Sequence, residues 1–405
     1  MQQTRLDTGR IRAARRVIDP VFLGTPLYRC EALEPGLGCA VSIKLETANP
    51  VRSFKGRGTE VVASLLAEHG PRAVVCASAG NLGQALAWSG RGRGLDVTVV
   101  ASRFATAAKL DRIRALGAGL ELVDGDHELA RERAAAIARY DGIRLVEDSL
   151  DVETCEGAAT IGLELVEARE RAKPEAQARR ADLADFTDLT ASTQLTDVTA
   201  PKDLTAPTTP TDLTHLTGPT TPTDLTTLTA PTERADRAVQ AELPDPAPPF
   251  DAVLIALGGG ALATGVGHVL KALAPGVEVI CVQPLGAPAL TRSWHERRVV
   301  TTDSTDTIAD GVAGRRPIPA VLDDLLLVAD DAVLVREASI IAGMRMLLDH
   351  AGLVVEPSAA LGIAAILEDR DRFAGRHVVT IVCGGNVDGD AYRRWVGAAG
   401  LPHGV

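Results

Sequence analysis

Short apolar runs alternate with helical patterns along two stretches of the chain, and this alternation constrains the fold more than any other feature. In residues 71–149 the runs are continuous in Val, Leu, Ile and Ala, and the pattern resumes at 251–284. Continuous apolar strands separated by helices are typical of parallel sheets that are covered on both faces. We therefore predict an α/β protein with two domains, each with a largely parallel twisted sheet flanked by helices.

The individual elements follow from where the periodicity changes. Strands are predicted, in chain order, at 71–80, 95–102, 119–125, 143–149, 251–260, 277–284 and 377–386. Helices are predicted at 81–94, 107–118, 128–140 and 261–273. In folds of this class ligands bind beyond the carboxyl ends of the strands, so the loops that follow the strands are the candidate functional positions.

One segment, 170–249, departs from this pattern in composition. It turns first to Ala, Arg and Glu and then to Thr, Pro, Asp and Leu, and APTTPTDLT at 206–214 recurs as GPTTPTDLT at 218–226. A short solenoid would need more copies and more apolar side chains to bury. We therefore interpret 170–249 as a low-complexity, disordered insertion that the activity does not need.

The length of 405 residues suits two folded domains beside this insertion. The predicted large domain, which would bind the ligand, combines 1–70 with 149–169 and 250–400. The predicted small domain is 71–148, which contains the first run of alternating strands and helices. The candidate loops therefore come from both domains.

The composition excludes several classes of partner. A formal charge of −11 and an aromatic content of 3% argue against nucleic-acid binding and against attachment to a membrane surface. No uncharged apolar stretch of about 18 residues is present, and the N-terminus lacks the apolar core of a signal peptide. The six cysteines form no CxxC pair, which indicates reduced thiols. The sequence thus predicts a cytoplasmic protein.

One of three unusual loops, LGGGAL at 257–262, follows a strand and opens a helix. Amides at a helix N-terminus attract anions, and glycine lets a phosphate approach the backbone closely. The loop also matches the dinucleotide fingerprint G-x-G-x-x-A at Gly258, Gly260 and Ala263. The next strand ends at Gln283 without the carboxylate that a ribose would need, so a single phosphate fits better. A tight turn that serves packing alone is the alternative.

Two further loops follow strands in the same way. SAGN, at 78–81, offers backbone amides and the Asn81 side chain to ligand oxygens, although a simple helix N-cap is an equal explanation. CGGN, at 383–386, begins with Cys383 at the last position of a strand, where a buried structural cysteine is the ordinary interpretation. The glycines directly after this cysteine suggest that a ligand approaches closely.

Lys55 has an unusual setting in NPVRSFKGRG at 49–58, directly after Phe54 and before Gly56. A lysine amine forms a Schiff base with an aldehyde cofactor once it has lost its proton. Burial beside an aromatic ring favours that loss because it disfavours the charged form. A solvated lysine at the start of a helix is the alternative for Lys55 considered alone.

Taken together and in this order, the Lys55 segment and the three loops resemble the pyridoxal-phosphate enzymes of fold type II, the tryptophan synthase β family, and in particular serine/threonine dehydratases. The resemblance covers nearly all of 20–395 except the insertion. Further matching stretches are TPL at 25–27, KLETANP at 44–50, TIADGVA at 307–313 and EPSAA at 356–360. The resemblance implies that fold, pyridoxal 5'-phosphate as the cofactor, a small amino acid as the substrate and a homodimer or higher homo-oligomer.

The resemblance also assigns roles to the candidate residues. Lys55 would join the cofactor aldehyde and Phe54 would pack near its pyridine ring, while Asn81 would bond the phenolic oxygen and Cys383 would face the pyridine nitrogen. The cofactor phosphate would lie on the amides of Gly258, Gly259, Gly260, Ala261 and Leu262. The substrate carboxylate would be held by Ser78, Ala79 and Gly80, together with Asn81.

The implied reaction is β-elimination from serine or threonine, with Lys55 as the general base that removes the α-proton. The β-hydroxyl leaves as water, and hydrolysis then gives a 2-oxo acid and ammonia. A neutral thiol at Cys383 favours loss of a β leaving group over a long-lived carbanion. The methyl group of Ala79 cannot exchange protons, so racemisation should be poor, and Gln283 stands where relatives carry acids, so no metal is expected.

Three alternatives remain open at this point. The first is another fold type II enzyme, either a β-replacing synthase or a diaminopropionate ammonia-lyase. The second is a nicotinamide-dependent oxidoreductase that uses the loop at 257–262. The third is a non-catalytic binding protein that works through the Thr-Pro-rich segment.

Overall fold

The computed structural model describes residues 3–140, 142–191 and 249–397. Among these residues the strands are β1 (Leu27–Arg29), β2 (Ala40–Leu45), β3 (Ala73–Ala77), β4 (Asp96–Ser102), β5 (Gly119–Val123), β6 (Ile143–Val146), β7 (Ala252–Ala256), β8 (Glu278–Pro284), β9 (Asp331–Val335) and β10 (His377–Val382). The helices are α1 (Thr8–Ala14), α2 (Glu34–Leu37), α3 (Lys55–His69), α4 (Asn81–Gly92), α5 (Ala107–Ala115), α6 (His127–Ala138), α7 (Val152–Ala191), α8 (Ala261–Leu273), α9 (Ala289–Glu296), α10 (Pro319–Val328), α11 (Glu337–Ala351), α12 (Leu361–Glu368), α13 (Arg370–Phe373) and α14 (Gly389–Gly397). Short 3-10 turns lie at Pro20–Phe22, Glu31–Leu33, Asp310–Val312 and Pro357–Ala360.

The strands form two sheets. The larger sheet has the order β1-β2-β10-β7-β8-β9, and its neighbouring strands are parallel except for the antiparallel pair β1 and β2. The smaller sheet has the order β5-β4-β3-β6 and is parallel throughout. Parallel neighbours must be joined by crossover connections, which here are mostly the helices of the predicted alternation. The predicted fold class is therefore confirmed.

The central strands of the larger sheet explain why their sequence is continuously apolar. Every residue of β7 and of β10 is buried, because helices cover both faces of the sheet. The edge strand β5 of the smaller sheet shows the contrast, since none of its residues is fully buried. Both faces are thus buried in the middle of the sheet but not at its edge, and the central strands have continuous apolar sequences for this reason.

Every strand and helix predicted from the sequence is present, with shifted bounds. The strand predicted at 71–80 ends at Ala77, which leaves the loop 78–81 outside the sheet. The strand predicted at 377–386 ends at Val382, so the prediction that Cys383 is the last strand residue is wrong by one position. The carbonyl oxygen of Cys383 instead accepts a hydrogen bond from the Phe54 N–H at 3.1 Å. This contact turns the chain towards helix α3.

The predicted insertion, 170–249, coincides only in part with the described residues. Helix α7 continues past residue 170 to Ala191, and 192–248 lies outside the described residues. The strands of the smaller sheet fall within the predicted small domain, and those of the larger sheet fall within the predicted large-domain ranges. The domain boundaries themselves stay a prediction. Among the helices described, none is long and apolar enough to cross a membrane.

A buried ionic cluster fixes the first turn of α3 to the larger sheet. The guanidinium of Arg57, which is fully buried, donates to both carboxylate oxygens of Glu46 at 2.9 Å. It also donates to Glu164 of α7 at 2.7 and 3.0 Å, and Lys44 of β2 forms a second ion pair with Glu164. Burial raises the pKa of Glu164, but Arg57 and Lys44 outweigh burial and hold this pKa at about 2. Glu164 is therefore ionised at neutral pH. The ion pairs hold the first turn of α3 in place, and this turn carries Lys55.

Candidate active site

A cleft of about 600 Å³ lies at the carboxyl ends of strands from both sheets. Its lining includes most of the residues that the sequence analysis selected, which are Phe54, Lys55, Ser78, Ala79, Gly80, Asn81, Gly258, Gly259, Leu262 and Cys383. The two remaining candidates, Gly260 and Ala261, lie behind the lining at the start of α8. The structure thus brings the four candidate segments to one place, at the sheet edges where ligands bind in folds of this class.

Lys55 is the first residue of α3, and its amine faces the cleft. The amine lies 4.5 Å from the centroid of the Phe54 ring and forms an ion pair with Asp148, which follows β6. Gly56 permits this arrangement, since a Cβ there would lie 2.2 Å from the ring of Phe22. Lys55 is therefore not a solvated surface lysine, because its side chain is only 17% exposed and forms an ion pair with an acidic residue.

The glycine-rich loop forms a close turn between β7 and α8. Gly260 has a φ of +107°, in the region that favours glycine, and a Cβ there would lie 2.4 Å from Val321. A Cβ on Gly259 would lie 2.5 Å from the hydroxyl oxygen of Ser149, and a Cβ on Gly258 would lie 3.0 Å from the carbonyl oxygen of Gly311. The Ala261 N–H donates to Ser149 Oγ at 3.1 Å. Only residues without a side chain leave this space free next to a helix N-terminus.

Asn81 is held by two partners across the cleft. Its side-chain amide donates to both oxygens of Glu356, at 2.9 and 3.1 Å, and its carbonyl oxygen accepts from the amide of Asn386 at 2.8 Å. The backbone N–H of Asn386 donates to Glu356 at 3.2 Å. The orientation of Asn81, which opens α4 beside the smaller sheet, is therefore fixed by Glu356 after α11 and by Asn386 after β10.

Glu356 is a buried carboxyl group on the floor of the cleft. A Cβ on Gly384 would lie 2.3 Å from one of its oxygens, so Gly384 is small in order to make room for it. Burial raises the pKa of Glu356 from its usual 4.5 to about 7, although the hydrogen bond from Asn81 opposes this shift. Glu356 is therefore partly protonated near neutral pH.

A pH-dependent stability follows from Glu356. Because its pKa is raised in the folded state, its stabilising contribution is complete below about pH 4.5 and is lost as the pH rises through about 7. Glu356→Gln, which mimics the protonated acid, should melt at nearly the wild-type temperature at pH 5 and above it at pH 8 in the cofactor-free protein. Glu296→Gln, a change at a more exposed carboxylate, is the control. If the melting temperatures of wild type and of both variants fell by the same amount between pH 5 and pH 8, the role of Glu356 would be contradicted.

Cys383 contributes a neutral thiol to the cleft. Its side chain is buried, and burial together with the nearby charge of Glu356 raises the pKa of the thiol. A thiol with a raised pKa carries no charge at neutral pH. Cys383 can therefore contact a ring nitrogen without supplying an anionic partner to it.

Four residues of the site were missed when the sequence was considered alone, namely Asp148, Ser149, Glu356 and Asn386. Each had a signal, because Asp148 and Ser149 end the predicted strand 143–149, and Glu356 and Asn386 belong to quoted stretches of the resemblance. Asp148 and Ser149 follow the end of β6, which is a strand end of the same kind as those before the three loops, and ligands bind beyond such ends. No group of three or more His, Cys, Asp or Glu side chains in the described ranges is arranged to hold a metal ion.

Two largely parallel sheets that meet at one cleft, with a lysine amine and a glycine-rich helix N-terminus beside it, correspond to enzymes that hold a phosphorylated aldehyde cofactor. The chain belongs to the pyridoxal-phosphate dependent enzyme family, whose model matches residues 18–178 and 235–384. The predicted family and the predicted cofactor, pyridoxal 5'-phosphate, are therefore confirmed.

Known relatives agree with this assignment. The chain is 27% identical to the L-threonine ammonia-lyase of Thermotoga maritima over 379 residues, which cover 93% of this chain and 75% of the relative. Its fold is similar to maize serine racemase, with a TM-score of 0.72, 22% identity and 96% coverage of both chains. It is also similar to the processed form of threonine deaminase isoform 2 from Solanum lycopersicum, with a TM-score of 0.70, 25% identity, and coverage of 99% of this chain and 91% of that one.

The residues of the cleft fit this cofactor. The glycine turn leaves a cradle that a Cβ would fill, and it lies at the N-terminus of α8, where a phosphate is stabilised. The amine of Lys55 and the thiol of Cys383 line the same cleft. The chain thus offers a helix N-terminus that can stabilise an anion, a lysine amine and a neutral thiol within one cavity.

Proposed function

We propose that the protein is an ammonia-lyase that eliminates the β-hydroxyl group of L-serine or L-threonine and releases a 2-oxo acid and ammonia. The observation that carries this proposal is the position of the Lys55 amine in the same cleft as the glycine turn 258–260. The names of the relatives support the reaction class, since they include threonine ammonia-lyases and threonine dehydratases. The substrate and the roles of individual residues are part of the proposal.

Bound pyridoxal 5'-phosphate would supply an electron sink that acidifies the α-proton of an amino acid. Lys55 would anchor the cofactor and, when its amine is free, accept the α-proton. The amides of Gly258, Gly259, Gly260, Ala261 and Leu262 would hold the phosphate, and Phe54 would pack near the ring. The electron pair of the Cβ–O bond leaves with oxygen, which takes up a proton to form water.

The other site residues would orient the reactants. Ser78, Ala79, Gly80 and Asn81 would hold the substrate carboxylate at the start of α4. Asn81 would also bond the phenolic oxygen, with Glu356 and Asn386 fixing its amide. Cys383 would face the ring nitrogen as a neutral thiol, which favours departure of a β leaving group. We expect poor racemisation because the methyl group of Ala79 cannot exchange a proton.

The cellular setting is also part of this proposal. A small amino acid is the proposed partner, and we expect a homodimer or higher homo-oligomer in the cytoplasm. The large domain would be 1–70 with 149–169 and 250–400, and the small domain would be 71–148. Deletion of the Thr-Pro-rich segment would then leave the activity intact.

Reconstitution with pyridoxal 5'-phosphate tests the proposal. The loaded protein should be yellow, borohydride should remove the colour, and a panel of amino acids should show 2-oxo acid release from serine or threonine. A colourless protein that instead oxidises a substrate with a nicotinamide cofactor would overturn the proposal. Deletion of 192–248 gives a second test. The proposed enzyme should keep its activity without this segment, whereas a binding protein that works through the segment would lose its function.

A further inference from the structure

Arg5 lies outside the cleft lining and joins helix α10 to the loop that follows β6. Its backbone N–H and its Nε donate to the two carboxylate oxygens of Asp324, at 2.8 and 2.7 Å. Its Nη1 donates to the carbonyl oxygen of Leu150 at 2.7 Å, and its Nη2 donates to that of Ser149 at 3.2 Å. Asp324 is buried, and within the described part of the chain Arg5 is its ion-pair partner. One guanidinium therefore holds a helix and a loop at a fixed separation.

The loop after β6 forms one wall of the glycine turn 258–260. Ser149 is buried in this loop, and its hydroxyl oxygen accepts the Ala261 N–H at 3.1 Å. A Cβ on Gly259 would lie 2.5 Å from the same oxygen, so the wall and the turn are in close contact. Because Arg5 binds the backbone carbonyl of Ser149, it fixes the residue that contacts both the turn and the start of α8.

Helix α10 forms another wall of the same turn. A Cβ on Gly260 would lie 2.4 Å from a methyl group of Val321, which is fully buried. Val321 precedes Asp324 by three residues, so the two side chains share one face of α10. The ion pair between Arg5 and Asp324 therefore holds α10 within one helical turn of its contact with Gly260.

We propose that Arg5 is a positioning residue for the phosphate of pyridoxal 5'-phosphate, and that it acts by holding the loop after β6 and helix α10 against the glycine turn. This inference rests on the phosphate position given in the proposed function, which is on the amides of 258–262. Such amides bind an anion well only while they converge on one point to within about 0.5 Å. Loss of Arg5 frees both walls, so the amides hold the phosphate less tightly.

Other contacts keep the segment around Arg5 attached when its side chain is changed. Thr4 shares a hydrogen bond with His268 of α8 at 2.7 Å, and Arg10 forms an ion pair with Glu156 of α7. Neither contact involves α10 or the loop after β6. Replacement of Arg5 therefore acts on the two walls of the turn and leaves this segment bound elsewhere.

Two cofactor forms that differ only in the phosphate test this inference. Pyridoxal and pyridoxal 5'-phosphate carry the same aldehyde for Lys55, and titration of the cofactor-free, full-length protein in phosphate-free buffer gives a Kd for each from the absorbance at saturation. Wild type should bind the phosphorylated form more tightly. Arg5→Met should raise the Kd of pyridoxal 5'-phosphate by about tenfold and that of pyridoxal by less than about twofold. Arg12→Met, which removes the same charge from an exposed position of α1, is the control and should leave both values unchanged.

A double variant separates positioning from stability. Arg5→Met leaves the buried carboxylate of Asp324 without its cation, which lowers the stability of the fold. Arg5→Met combined with Asp324→Asn removes that carboxylate charge and should regain melting temperature, while the Kd of pyridoxal 5'-phosphate stays raised about tenfold because the bridge between the walls is still absent. If the double variant regained wild-type affinity together with stability, Arg5 would have a purely structural role and the inference would be wrong. The double variant carries the test if Arg5→Met alone does not fold.

The same titrations distinguish this inference from the proposed function. Equal changes in Kd for the two cofactor forms, or no change for either, would overturn the role of Arg5, and the proposed phosphate position would stand as long as wild type prefers the phosphorylated form. If wild type bound both forms equally, the glycine turn would not hold the phosphate, and the phosphate position would fail together with the inference.

Discussion

Lys55→Ala is expected to lower the release of 2-oxo acid by several orders of magnitude. The change removes the covalent anchor of the cofactor and the base for the α-proton in one step, and no other lysine of the cleft contacts Asp148 among the described residues. The amine is placed by the first turn of α3, so a neighbouring residue cannot take its position. Initial rates with serine and threonine, measured on wild type and variant at saturating cofactor, provide the comparison.

A second lysine serves as the matched control for this experiment. Lys271 lies on α8, pairs with Asp330 outside the cleft lining, and can be replaced by alanine without touching the site. Lys271→Ala should keep its colour and its rate, whereas Lys55→Ala should lose the absorbance that borohydride removes. Near-normal ammonia release by Lys55→Ala would refute the assignment of this lysine.

Arg57→Met is expected to destabilise the protein by about 3–5 kcal/mol, which is the largest stability effect that the structure indicates. The guanidinium is fully buried and binds two carboxylates, Glu46, which is fully buried, and Glu164, which is 11% exposed. Removing it leaves these charges without their main partner, although Lys44 continues to pair with Glu164. Methionine has a similar length, so loss of packing contributes little to the difference.

The measurement is chemical denaturation of the cofactor-free protein, with Arg393→Met as control. Arg393 pairs with Asp390 on the surface, where both side chains are mostly exposed, and its replacement should leave the denaturation midpoint unchanged. An Arg57→Met protein as stable as wild type would show that the cluster does not hold α3. Helix α3 carries Lys55, so the destabilised variant should also bind the cofactor more weakly.

The elements that could be predicted were those whose sequence pattern is local. Continuous apolar runs followed by helical periodicity predicted β3, β4, β7, β8 and β10, in which most residues are buried, and also β5 and β6, which are mostly half-buried. Strands β1, β2 and β9 were not predicted. β2 carries the buried polar residues Ser42 and Lys44. Ser42 shares a hydrogen bond with His377, and Lys44 forms an ion pair with Glu164. Such partners lie far away in sequence, so no local pattern reveals them.

The candidate site was predicted in outline, and its acidic residues were missed. The glycines and Lys55 stood out because their spacing is unusual for an ordinary turn or helix start. Asp148 and Glu356 look like common surface acids in the sequence. Their importance depends on what the fold places next to them, which is the Lys55 amine for Asp148 and the Asn81 amide for Glu356. Burial and hydrogen bonding are properties of the assembled cleft.

The sequence by itself determined the class of fold, the family and the cofactor. The periodicity and the glycine and lysine segments are patterns of neighbouring residues, so they can be identified without the tertiary structure. Only the tertiary structure decided which charges meet in the cleft. Asp148 reaches Lys55 across 93 positions, and Glu356 reaches Asn81 across 275. Electrostatic interactions depend on distance in space and on the exclusion of water, and neither quantity is fixed until the two sheets have folded around a common cavity.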